Sequence, residues 1–208
     1  MYRLILSFVT VFILSASLSV NAESELQGYG AFSNLNKDWM LMALYSDPAD
    51  ESAQVAAPQR LEIKISTEKF SLRRFRSLWL NTLAVEHSAD KIAAMEGELK
   101  QFFNIIEGPL KAGDALIIER TEIDNNVRSQ VRINYHTLAN LSADFLPLMV
   151  QSLVGKHPPT QALKTGLTGQ ASLREQTKLG IRFDRLEPTL PRIAEISRWG
   201  KRLLVSSL

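Results

Sequence analysis

The sequence predicts an α+β fold, an antiparallel sheet with helices packed on one of its faces. Three observations carry this expectation. Residues 39 to 45, Trp-Met-Leu-Met-Ala-Leu-Tyr, are continuously apolar, the pattern of a strand covered on both sides. Two later segments alternate between an apolar and a polar face, at 61 to 65 and, with Ser129 the polar exception, at 127 to 135. Between and after them run stripes of helical period, so the order reads strands, two helices, a hairpin, then helices.

The first 22 residues read as a secretory signal. Arg3 gives a short positive start, Leu4 to Leu18 form the apolar run, and Val20-Asn21-Ala22 puts small residues where a signal peptidase cuts. The run is shorter than the roughly 20 residues needed to cross a bilayer, which favours removal after Ala22 over a retained anchor. The expected location is the periplasm, with plain secretion second. Whether the segment is cleaved or retained stays open at this point.

After residues 39 to 45, Pro48, Asp50, Glu51, Ser52 and Pro58 mark a solvated loop over 47 to 60. Leu61, Ile63 and Ile65 then alternate with Glu62 and Lys64 as a half-buried strand. A helix starts between Ser66 and Ser71. Leu72, Phe75, Trp79 and Leu83 form its apolar stripe, with Arg73, Arg74 and Arg76 mostly off it. Ser88 is expected to cap the next helix, with Asp90 in the first turn and a stripe through Ile92, Met95, Leu99 and Phe102 or Phe103.

Gly113-Asp114 turns the chain into a hairpin whose arms are 115 to 123 and 127 to 135, with Asp124-Asn125-Asn126 between them. Val127, Ser129, Val131, Ile133 and Tyr135 share one face. Ser142 is expected to cap a helix through Phe145, Leu148, Met149 and Leu153 that Gly155 ends, and Thr160 to open a short helix ending near Gly166. Residues 171 to 208 then carry eight bases against four acids. They read as a basic C-terminal tail or helix, with Ile193, Ile196, Trp199 and Leu203 on one side of the last segment. Either it docks on the domain or it rests on anionic lipid.

Composition excludes several chemistries. The chain has 24 Lys and Arg against 22 Asp and Glu, and removing residues 1 to 22 takes away only Arg3. Such a near-neutral chain has no global field to draw nucleic acid. With no cysteine it holds no disulfide, thiolate metal site or lipoprotein anchor, and it relies on an apolar core. About 186 residues suffice for one such domain. Gly-x-Ser-x-Gly, His-Glu-x-x-His and phosphate-binding glycine loops are missing. The three histidines, His87, His136 and His157, are not at metal-ligand spacing, although His136 or His157 is a candidate single axial ligand to haem. No metal is expected.

Several short motifs stand in a fixed order. Gly28 and Gly30 precede Ala43-Leu44-Tyr45, and Lys111-Ala112-Gly113-Asp114 precedes the hairpin. Asp144-Phe145 opens the next helix, followed by Val154-Gly155-Lys156-His157-Pro158-Pro159, Leu163-Lys164 and Gly166-Leu167-Thr168-Gly169. In this order the chain resembles the chalcone isomerase-like family, in its bacterial exported branch. The resemblance implies an open-faced β-sandwich over residues 23 to 170, with a ligand cleft between sheet and helices.

The family's catalytic arginine, which stabilises an attacking phenolate, falls on Phe32. A strand tyrosine falls on Met40, and a tryptophan on Leu153. A phenyl ring cannot pair with an oxyanion, and no arginine occurs between Arg3 and Arg60. The expectation is therefore a non-catalytic protein without a cofactor, binding an apolar small molecule (fatty acid or haem) through Phe32, Met40, Tyr45, Trp79 and Arg74. The alternative is an interaction module in which residues 171 to 208 meet a membrane surface or a partner protein. An enzyme with relocated residues is the third reading.

Overall fold

The computed structural model describes residues 24–35, 37–47 and 57–206, the last seven of these as backbone only. The signal segment, most of the 47 to 60 loop and the Leu203 side chain lie outside the described residues. Six strands form one antiparallel sheet in chain order: β1 (Glu25–Asn34), β2 (Lys37–Ser46), β3 (Pro58–Ile65), β4 (Ala115–Ile123), β5 (Asn126–Ile133) and β6 (His136–Ser142). The helices are α1 (Leu72–Glu86), α2 (Ala89–Ala94), α3 (Glu96–Asn104), α4 (Phe145–Val154), α5 (Gln161–Leu167), α6 (Leu173–Asp184) and α7 (Leu190–Ser206).

The main core lies on one face of this sheet. Met40, Met42 and Leu44 of β2, Leu61, Ile63 and Ile65 of β3, and Val131 and Ile133 of β5 meet Phe75, Trp79, Phe102, Phe145, Leu163 and Ile196 from the helices. An aromatic column runs through it, with ring centroids 6.3 Å apart for Phe75 and Trp79, 5.9 Å for Phe75 and Phe102, and 5.3 Å for Phe102 and Phe145. Each fully buried ring contributes about 1.5–3 kcal/mol of transfer free energy, so the column clamps α1 to α3 and α4.

α6 packs on the opposite face. Phe183, Leu179 and Leu186 cover Leu41, Ala43, Tyr29 and Tyr45. This second cover explains the unbroken apolar run of β2. It also buries Glu62 and Lys64, each 7% exposed, where alternation alone suggests a solvated face. Glu62 pairs with Arg60 and Lys64, and the Lys64 ammonium lies 4.6 Å from the Phe183 ring centroid, so the buried charges keep partners.

The motif glycines are points of backbone contact. A Cβ on Gly28 would sit 2.2 Å from the Gly166 carbonyl oxygen, and one on Gly30 2.8 Å from Leu163 Cδ1, so α5 lies directly against β1. Gly113, at φ +88°, would place a Cβ 2.2 Å from the Glu187 carbonyl oxygen. There the chain crosses the Gly113-Asp114 turn before α7 joins the main core.

Gly28 and Gly30 do precede the strand ending in Ala43-Leu44-Tyr45, but they lie in a strand of their own, β1, which the sequence pattern does not reveal. Three local expectations are corrected. The strand expected through Tyr135 ends at Ile133, because Asn134 and Tyr135 adopt positive φ (46° and 74°) and turn the chain into β6. Ser142 closes β6, its backbone N–H and hydroxyl both 3.0 Å from Glu98 Oε2, and Asp144 takes the N-cap position of α4. The helix after Ser88 breaks at Met95 (φ −101°, ψ 5°) into α2 and α3.

Candidate functional site

The cleft expected between sheet and helices forms where the β1–β2 hairpin meets α1. Ser71 caps α1, its hydroxyl accepting from the Arg74 N–H at 3.3 Å. The stripe Phe75, Trp79, Leu83 points into the core. The neighbouring stripe, Ser71, Arg74, Leu78 and Asn81, therefore faces the hairpin. With Phe32 and Trp39 it encloses a cleft of about 500 Å³, with Arg73 at the rim. The Arg74 guanidinium stacks on Trp39, 4.8 Å from the ring centroid, which limits its rotamers and leaves its N–H edges for an anion.

Below this cleft lies a void of about 10 Å³, bounded by Phe32, Met42, Leu78, Trp79, Thr82 and Leu153, with Pro159. That is room for about one water-sized probe. Phe32 and Leu78 line both spaces and so form the partition between them. The Trp79 indole N–H is buried without a hydrogen-bond partner among the described residues. The Thr82 hydroxyl donates to the Leu78 carbonyl at 2.8 Å. Among the described residues no titratable side chain lines the void.

Near Pro159 on the void's border, a carboxylate clasp joins α1 to the turn at 155–157. Glu86, its side chain 4% exposed, accepts from the backbone N–H groups of Lys156 (3.0 Å) and His157 (2.7 Å). Burial alone would raise this carboxyl's pKa. The two N–H donors and the nearby histidines outweigh it and hold the group below the ordinary glutamate value. Gly155 permits the approach, since a Cβ there would lie 2.1 Å from Glu86 Oε1.

Of the five expected ligand-binding residues, Phe32, Trp79 and Arg74 converge here. Met40 pairs with Phe32 across β1 and β2 and is fully buried beside them. Tyr45 does not join the group. Strand alternation puts it on the opposite face, among the α6 contacts, with the Arg60 guanidinium 4.9 Å from its ring centroid. Trp39, Leu78 and Asn81 also line the cleft; spacings of four and seven from Arg74 were the available signal for the last two.

None of the histidines lines the cleft or the void. His87 is buried with Nε2 3.0 Å from the Leu148 carbonyl oxygen, His157 lies beside Glu86, and His136 Nε2 is buried without a partner. Among the described residues no group of three or more His, Asp or Glu could hold a metal ion.

A second groove, about 420 Å³, lies on the other face between β1, β2, α5 and α6. Ser33 donates to Asp38, and Arg182 Nη2 donates to Asp38 Oδ2 at 2.6 Å. Burial would raise the Asp38 pKa, but these donors and the cations Arg182 and Lys178 bring it below its ordinary value.

No family model matches this chain, and no curated protein sequence matches it. Among solved structures, a fatty-acid binding protein of Arabidopsis thaliana is similar, with a TM-score of 0.55 and 14% identity over 73% of this chain and 90% of the plant chain. At that identity the likeness concerns the fold. The chain is an open-faced α+β protein, a six-stranded antiparallel sheet with its main helical layer on one face. Its fold is of the chalcone isomerase-like kind.

Proposed function

We propose that this is a non-catalytic, exported member of the chalcone isomerase-like family that binds a fatty acid between α1 and the β1–β2 hairpin. One observation carries the reading: the same two side chains, Phe32 and Leu78, wall both a cationic cleft and an apolar void. A carboxylate in the cleft meets Arg73 and Arg74, whose guanidiniums suit bidentate pairing. The acyl chain then enters by rotating Phe32 and Leu78 aside, toward Met42, Trp79 and Leu153. Hydrocarbon replacing this apolar lining needs no new polar partner, and the cleft volume is within the ordinary range for small-molecule sites. The plant neighbour's fatty-acid binding supports the ligand class. Without a histidine at the cleft, a fatty acid suits the lining better than haem.

The non-catalytic part rests on the void itself. Proton transfer needs a titratable side chain within reach of the reacting atom. The cations stand at the mouth and none lines the void. The periplasmic location rests on the first 22 residues alone. Fractionation of the native host, with mature protein beginning at Glu23 in the periplasmic fraction, tests it.

The ligand test is titration of delipidated protein with lauric to stearic acid, following Trp39 and Trp79 fluorescence. Saturable binding is expected. The Arg73→Ala/Arg74→Ala variant should bind at least about tenfold more weakly, the factor for losing one charge-assisted hydrogen bond of about 1.5–3 kcal/mol. Absence of saturable binding to wild-type protein, or equal affinity in the variant, would refute the site.

A further inference from the structure

We infer that the outward face of α6 docks the protein on an anionic lipid bilayer. Gln176, Leu179, Gly180 and Phe183 form the inward face. A Cβ on Gly180 would lie 2.9 Å from the Tyr29 ring, and Gln176 Nε2 donates to the Tyr29 carbonyl at 3.2 Å. Helical period therefore turns Arg174, Lys178, Ile181 and Arg185 away from the sheet. This outward face combines two features that a merely solvated helix does not need together.

The first is an apolar ridge. Leu173, Thr177 and Ile181 follow at intervals of four, with Leu173 84% and Ile181 49% exposed. The second is a parallel basic row, Arg174, Lys178 and Arg182, continued by Arg185. Among the described residues Arg174, Lys178 and Arg185 form no salt bridge, although Lys178 borders the back-face groove and acts on Asp38 at longer range, and Arg182 is paired with Asp38. The helix's acids are turned aside: Glu175 accepts from the Ser172 hydroxyl at the N-terminal cap, and the Asp184 charge acts on Tyr29 and Tyr45 beneath the helix. An apolar ridge beside unpaired cations complements acyl chains beneath anionic headgroups.

The hairpin adds to this end of the molecule. Arg182 binds Asp38 of β2, three residues past the tip residue Leu35, which is 93% exposed at φ 50°. Ser33 and Asp38 face α6, while Asn34 and Trp39 line the ligand cleft on the other side of the same hairpin. The cleft lies on the other face of the sheet, so docking through α6 does not depend on the fatty-acid reading. α7 is the weaker candidate for this contact, because Arg192 is 5% exposed and held by Asp114.

The test is co-sedimentation of the full chain with phosphatidylcholine vesicles and with phosphatidylcholine–phosphatidylglycerol vesicles, beside fatty-acid titration in solution. Wild-type protein should pellet with the anionic vesicles only. It should be released as salt approaches 1 M, where the Debye length is about 3 Å. The Arg174→Glu/Lys178→Glu/Arg185→Glu variant should lose at least about a hundredfold in partition, since each basic group near such a surface contributes about a factor of five. Its fatty-acid affinity should stay unchanged. Leu173→Asn/Ile181→Asn, which leaves the charge intact, should also partition less. Equal pelleting on both vesicle types, no pelleting on either, or an unaffected charge-reversal variant would overturn the docking face. Vesicle binding without fatty-acid binding would instead sink the ligand reading and leave the docking face standing.

Discussion

Arg192→Met tests how the C-terminal segment is held. Asp114 is fully buried and accepts five hydrogen bonds. Arg192 Nε lies 3.0 Å from each carboxylate oxygen and Nη2 2.7 Å from Oδ2, while Asn134 Nδ2 and the Lys111 N–H bind at 2.7 and 2.8 Å. Arg192 Nη2 also donates to the Pro109 carbonyl at 3.0 Å, and the guanidinium lies 5.1 Å from the Trp199 ring centroid. Removing the guanidinium takes away three of the five hydrogen bonds and leaves a buried carboxylate without its cation. The expected loss is about 3–5 kcal/mol. For a chain of this size each kcal/mol lowers Tm by about 2–4 °C, giving about 6–20 °C. Urea melts of Arg192→Met, Asp114→Asn and the double variant form the cycle. A loss below about 1 kcal/mol, or effects that add within about 0.5 kcal/mol, would refute the reasoning.

Four further outcomes are expected. Gly166→Ala places a methyl 2.5 Å from the Tyr29 carbonyl oxygen; α5 must shift off β1, at a cost of about 1–3 kcal/mol by thermal melting. Gly97→Ala, with open space around the position, should not destabilise and serves as the control. Because the folded Glu86 carboxyl titrates below its ordinary value of about 4.3, its stabilisation is present above that pH and is lost as the pH falls through the lower folded value. Glu86→Gln should therefore flatten this part of the acid limb in pH-dependent urea melts; an unchanged limb would contradict the clasp. Trp79→Phe removes the unpartnered indole N–H along with some volume, so its cost should stay below the roughly 3–5 kcal/mol of Phe102→Ala. Equal losses would show that the N–H has a partner.

The motifs that carry the family resemblance turn out to be contacts of close packing. Gly28 and Gly30 meet Gly166 and Leu163, Gly155 meets Glu86, and Gly113 meets Glu187. Their order along the chain was visible, but their pairing was not, because each contact joins segments more than 60 residues apart. The site was partly legible for the same reason. Phe32 is selected through the family resemblance, and Trp79 and Arg74 by residue type on one helix. Leu78 as a partition, and Tyr45 as a residue of the other face, required the sheet's position against α1.

Neighbouring residues suffice to specify the local elements: the N-caps Ser88 and Thr160, a helix start between Ser66 and Ser71, the stripe Phe75, Trp79, Leu83, the stop at Gly155, and the α+β order. These depend on side chains within a few residues of one another, where capping bonds and apolar period act directly. What covers each face of the sheet emerges only in the assembled chain. Packing laid α6 over the back of β1 and β2, turned the chain at Asn134-Tyr135, and buried Arg192 on Asp114. Those outcomes arise from competition for apolar area and for buried polar partners among distant segments, and no local window of residues contains both competitors.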